Sequence, residues 1–207
     1  MDIGEYISKT TNMYFGKVEE GYNYVQKNVG LWDSIIIYYF LVLISMVIST
    51  ITSYGSDTGF GAGTSITLIV LGLILASVII VPVVIFIFYG ILHLFLKLFG
   101  GSGSLEDTIK HAIAASVFSS IVGTVISGIS NLLINNVTSP GLTVVYTLGL
   151  SFLSMGLGLW ALVILINVLT LAHKISTGRA FLAVILPIVL MIIIFVGLII
   201  LLTMYYM

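Results

Sequence analysis

The chain reads as an all-α polytopic membrane protein, a helical bundle of five transmembrane helices, and three observations predict it. Of its 207 residues, 59% are hydrophobic and only 7% charged, against roughly 25% charged in an ordinary soluble domain. Apolar runs of 18 or more residues with almost no charge recur along it, as bilayer-spanning helices require. The seven Lys and Arg residues fall in alternate connections between those runs, which orients them all to one side. Formal net charge is −1, so the global balance points to no nucleic-acid partner. The absence of cysteine excludes disulfides, thiol catalysis and cysteine-bound metal.

Residues 1–32 form a short amphipathic N-terminal segment, and 33–207 the five-span domain. The first 34 residues carry eight of the fifteen charges. Ile3, Tyr6, Ile7, Thr10, Tyr14 and Val18 share one side of a helical wheel. That pattern predicts one or two short helices lying on the membrane surface, interrupted at Gly16, Gly21 and Gly30. The first apolar run begins near Ile35, too late for a cleavable signal peptide. It is expected to stay as an anchor, with Trp32, Tyr38 and Tyr39 in an interfacial belt.

Span one is about 33–53, followed by a glycine-rich connection, 54–64, that contains Asp57. The second run, 65–99, would reach roughly 50 Å as a helix against a hydrocarbon core of about 30 Å. Pro82 near its middle favours a kink; two short spans are the alternative, without turn residues to support them. After Gly-Gly-Ser-Gly-Ser a helix start is written in Ser104 and, three residues on, Asp107. Span three, 105–134, carries small residues on one face, including Ala112, Ser116, Ser119, Gly123 and Ser127. Such faces let helices approach closely in lipid, so this span is expected in the interior. Proline and glycine punctuate the turn at 135–141, which includes the sequon Asn136-Val137-Thr138. Span four, 142–171, again offers small residues, Gly149 and Gly156 among them. A basic loop at 172–179 leads into span five, 180–204, which contains Pro187 and few small residues and is expected on the lipid side.

With five spans, Lys9, Lys17, Lys27, Lys97, Lys110, Lys174 and Arg179 share one side; six spans would scatter them. The positive-inside rule makes the N-terminus cytoplasmic and the C-terminus outside. The same topology gathers His93, Lys97, Glu106, Asp107, Lys110, His111, His173 and Arg179 as a candidate polar cluster at the cytoplasmic face. His93–Lys97 and Asp107–His111 each share a helix face at i, i+4. One reading is a small polar site; the plainer one is helix capping, snorkelling and topology signals. A metal held by His93, Asp107, His111 and His173 fits imidazole and carboxylate chemistry, but no HExxH or Glu-x-x-His pattern supports it, and no cofactor is expected. No Asp, Glu, Lys or Arg lies near a span centre, unlike ion-coupled carriers. Asn131 and Asn167 are read as links between helices.

HLFLKLFGGSGSLEDTIKHAIAAS, followed later by LWALVILINVLTLAHKISTGRAFLAVILP, resembles the Yip domain family, Rab/Ypt-interacting membrane proteins with prokaryotic relatives. Gly100, Gly101, Gly103 and Ser104 match its glycine-rich turn, and Trp160, His173, Ser176, Arg179 and Ala180 its later span and basic loop. The resemblance covers about 31–202. It implies five spans with a cytoplasmic N-terminus, and membrane trafficking through small GTPases and partners of the same family. The N-terminal region here is only about thirty residues and lacks an Asp-Leu-Tyr-Gly-Pro-like motif. Those departures speak against small-GTPase binding and for a prokaryotic member, multi-pass in the plasma membrane. The function expected is a non-enzymatic scaffold or organiser of membranes, with the lipid bilayer, a second copy or other membrane proteins as partners. The alternative is a small transporter or channel with a pore among spans two to four.

Overall fold

The computed structural model describes residues 2–53, 66–136 and 139–206. The connection carrying Asp57, and Val137 and Thr138 of the sequon, lie outside the described residues. Among them are seven α-helices and no strand. α1 (Ile3–Asn12) opens on Asp2, whose carboxylate accepts from the N–H groups of Gly4 (2.8 Å) and Glu5 (3.2 Å), satisfying donors that the first turn leaves free. A 3₁₀ turn (Met13–Phe15) ends at Gly16, whose φ of 88° turns the chain back into α2 (Val18–Asn28). Gly16 breaks the helix, as expected, but Gly21 does not: it sits inside α2, where α1 crosses closest. A Cβ there would lie 2.8 Å from the Lys9 carbonyl oxygen and 2.5 Å from Met13 Cγ.

Five helices are long and apolar enough to cross a membrane: α3 (Leu31–Ser53), α4 (Ile66–Leu98), α5 (Leu105–Asn136), α6 (Pro140–His173) and α7 (Thr177–Tyr206). Their bounds match the hydropathy pattern within a few residues. α4 is one continuous helix through Pro82 and α7 through Pro187. α5 is the central helix and packs most extensively on α6 and α3. It is the most buried of the spans, whereas α7 is the least and touches the bundle mainly through Ala180, Ala183 and Val184.

The N-terminal hairpin packs against protein. α1 and α2 lie on α5 and α6, burying Tyr6, Thr10, Met13, Tyr14 and Val25. The Tyr14 hydroxyl donates to the Ala115 carbonyl, and Trp160 Nε1 donates to the Tyr14 carbonyl (3.2 Å). The apolar side read as meeting lipid therefore meets α5 and α6 through Tyr6, Thr10 and Tyr14. Only Ile3 of the six residues on that side is exposed. An amphipathic face has the same pattern whether lipid or protein covers it.

Candidate functional site

The polar cluster assembles where α4 ends, α5 begins and α6 ends. α4 stops in a Schellman turn: Gly100, φ 89°, donates its N–H to the Lys97 carbonyl (3.0 Å), and the Gly101 N–H reaches the Leu96 carbonyl (2.8 Å). The next residue caps a different helix. Ser102 donates its N–H (3.0 Å) and its hydroxyl (3.2 Å) to the His173 carbonyl, one of the acceptors that the last turn of α6 leaves unpaired. This cross-connection demands glycine on both sides. A Cβ on Gly101 would stand 2.7 Å from His173 Nδ1 and 2.8 Å from the Leu96 oxygen; one on Gly103 would stand 2.6 Å from the Ala172 oxygen.

α5 then starts in a reciprocal cap. Ser104 donates its N–H (3.0 Å) and hydroxyl (2.7 Å) to Asp107 Oδ2, while the Asp107 N–H donates to Ser104 Oγ (3.0 Å). Lys110, nearly buried, stands 3.7 Å from Asp107 Oδ1. Glu106 in the same turn is exposed.

One turn on, Thr108 is fully buried and joins three helices. Its hydroxyl donates to the Ser104 carbonyl (3.1 Å) and lies 2.8 Å from both His93 Nδ1 on α4 and His173 Nε2 on α6. A hydroxyl has one proton and two lone pairs. With that proton on Ser104, Thr108 accepts from both rings, so His93 presents Nδ1–H and His173 presents Nε2–H. His173 Nδ1 then carries only a lone pair, buried without a partner against Gly101 and Gly103. Each ring thus uses its proton to hold a neighbouring helix.

The residues singled out from sequence divide into two groups. His93, His173, Gly100, Gly101, Gly103, Ser104, Asp107 and Lys110 converge on this node, and Lys97 and Arg179 flank it. Lys97 Nζ lies 3.5 Å from the Ser102 carbonyl, and Arg179 Nη1 is 3.6 Å from where a Gly100 Cβ would be. His111 points elsewhere: its Nδ1 donates to the Asp107 carbonyl (2.8 Å) and its ring stacks on Tyr22 of α2 at 4.5 Å. The four-residue set His93, Asp107, His111 and His173 is therefore split, with the Asp107 carboxylate committed to Ser104 and Lys110. Among the described residues no three His, Asp or Glu side chains group to hold a metal.

The packing residues divide as well. Ser116 lines a crevice between α4, α5 and α6, and Gly123 a groove between α3 and α5; Ser119 is half-buried and donates to the Ser116 carbonyl (2.9 Å). Ser127 is exposed, and a Cβ built on Gly149 or Gly156 would meet no atom within 4 Å. The close approach on α5 is instead at Gly128, where a Cβ would be 3.3 Å from Ile48 Cγ2. Asn131 joins α5 to α3 through Thr52 (3.0 Å), as expected of it.

Thr108 and Ser102, the residues that couple the helices, went unmarked in the sequence. The one signal for Thr108 was its place four residues after Ser104 and within the His93–His111 stretch. No curated protein and no solved structure matches the chain. The Yip1 domain family matches residues 19–198, from α2 through most of α7 and across the whole node. This five-span membrane protein belongs to the Yip1 domain family.

Proposed function

We propose that this protein is a non-enzymatic scaffold that organises the bilayer or membrane partners, seated in a prokaryotic plasma membrane with its histidine end in the cytoplasm. One observation carries the reading: the polar side chains between the helix ends there are spent on one another, and charged groups at the rim, such as Lys97, Glu106 and Arg179, are left exposed. His93, Thr108 and His173 tie α4, α5 and α6 together; Ser102 caps α6; Ser104 and Asp107 cap α5. Along the spans, the crevice between α4, α6 and α7 is walled by residues such as Ile91, Leu165 and Met191. Among the described residues no charged side chain lies at mid-span. A molecule so built supplies a rigid, lipid-facing surface.

A second reading, a small transporter or channel, has one observation in its favour, which lies between spans one and three and not among spans two to four. The groove between α3 and α5 is lined in part by Ser45, Ser120, Gly123 and Thr124. Flux of small solutes into proteoliposomes separates the two. The scaffold reading expects vesicles as tight as protein-free ones, with a size distribution that shifts as protein density rises. Reproducible flux that disappears in Gly123→Leu would overturn it.

A further inference from the structure

Three cations at the histidine end have no acidic partner. The ion pairs among the described residues involve Lys9, Lys17 and Lys110; Lys97, Lys174 and Arg179 are exposed and form none. Two of them flank one short turn, Lys97 at the Ser102 carbonyl and Arg179 beside Gly100. Arg179 thus brings the start of α7 against the end of α4, and these helices are in contact below.

Each cation also heads an exposed apolar stripe. Lys97 follows Leu94 by three residues and lies beside Leu98, with Ile87 two further turns down the same side of α4. Arg179 precedes Leu182 and Leu186 at i+3 and i+7 on α7. Leu94 is 64% exposed and Leu98 80%, and Leu182 and Leu186 are open as well. Two exposed apolar stripes on helices that touch, each with a cation at its end beside the Gly100–Ser102 turn, are complementary to acyl chains beneath an anionic phosphate. Basic pockets between transmembrane helices recognise such headgroups in this way, and Arg with Lys offers a forked donor beside a point charge.

We infer that the outer seam of α4 and α7 is a binding site for an anionic phospholipid. Lys97 and Arg179 hold its phosphate at the Gly100–Ser102 turn, and its chains lie along Leu94, Leu98, Leu182 and Leu186. Ser102 already caps α6, so a phosphate gathered at this turn would brace the node that joins α4, α5 and α6. The site is independent of the scaffold reading: solute flux tests that reading, and lipid retention tests this one.

The experiment is native mass spectrometry of the full chain in detergent, titrated with phosphatidylglycerol, phosphatidylcholine or free glycerol phosphate. The wild type should retain phosphatidylglycerol in preference to phosphatidylcholine. The Lys97→Gln/Arg179→Gln double variant should lose on the order of tenfold of that retention. Lys97→Arg/Arg179→Lys should keep most of it, and Lys27→Gln, on α2, all of it. Glycerol phosphate should not compete, because the chains supply the rest of the contact. Equal retention of the two lipids by the wild type, or of phosphatidylglycerol by wild type and double variant, overturns the site. Competition by glycerol phosphate at lipid-like concentrations would make it a simple phosphate site and overturn the seam. Both cations are exposed, so the double variant should fold; a monodisperse elution profile and an unchanged far-ultraviolet circular dichroism spectrum check this.

Discussion

Thr108 shows how a single hydroxyl can decide the arrangement of three helices. Thr108→Val keeps the shape and removes the hydroxyl, leaving the buried His173 N–H and the half-buried His93 N–H without their acceptor. Each such group costs about 1–3 kcal/mol, so Thr108→Val should destabilise markedly, while Thr108→Ser should restore most of the loss. Thermal unfolding followed by the fluorescence of Trp32 and Trp160 reads both. The glycines grade in the same assay. Gly100→Ala meets open space apart from Arg179 and costs mainly its left-handed φ, about 1–2 kcal/mol. Gly101→Ala has no left-handed φ to lose but would overlap the Leu96 carbonyl and the His173 ring, and should cost more. If the two variants unfold together, close approach is not what fixes Gly101. Only part of this node was legible in the sequence. Ser104 and Asp107 announce a cap because both partners are local. Thr108 and His173 are 65 residues apart, and no local pattern encodes which helices meet.

At the scale of elements, the spans were legible because apolar length is a property of each segment alone. Docking of α1 and α2 was not, because it depends on what α5 and α6 offer in return. The hairpin is held internally by Lys9 and Glu20 at 2.7 Å, with Lys17 3.7 Å from the same carboxylate. The hydrogen bond and charge of Lys9 lower the Glu20 carboxyl below its ordinary range, and the bond and charge of Glu20 raise the Lys9 ammonium above its own. A depressed carboxylate contributes above its unfolded pKa and loses that contribution as pH falls through its lowered folded value. A raised ammonium contributes below its unfolded pKa and loses it as pH rises through its raised folded value. Hairpin stability should therefore be flat across neutral pH, weaken in acid below the carboxylate range and weaken again in strong alkali. The pair is exposed, so salt at about 1 M should mimic part of the effect. Amide exchange of α1 and α2 measures it. Tyr14→Phe, which deletes the bond to Ala115, should speed exchange across the hairpin at every pH and leave α4 and α7 unchanged. Equal acceleration in α7 would mean that the hairpin and bundle open as one unit.

For the whole molecule, the two flanks have unequal apolar heights. On the hairpin flank, exposed apolar residues of α6 run from Leu142 to Val163, about 32 Å. Above Val163 the hairpin covers the bundle with charged helices. On the opposite flank, exposed residues of α4 run from Leu71 to Leu98, about 40 Å. A hydrocarbon core of about 30 Å matches the first flank and falls short of the second, so an upright bundle would leave Leu94 and Leu98 in water. Tilting by several tens of degrees toward the α4–α7 side, or thickening the bilayer there, removes the mismatch at modest cost. Either response makes the protein an asymmetric insert in the bilayer. Depth-dependent quenching by brominated lipids tests it. Trp160, read in Trp32→Phe, should be quenched by bromines near the headgroup end of the chains. Leu94→Trp, read in a Trp32→Phe/Trp160→Phe background, lies about 15 Å further along the bundle. It should nonetheless be quenched at the same shallow depth. An unquenched tryptophan at 94, with Trp160 quenched, would mean that the bundle stands upright with its histidine end in water, and that the α4–α7 flank meets something other than lipid.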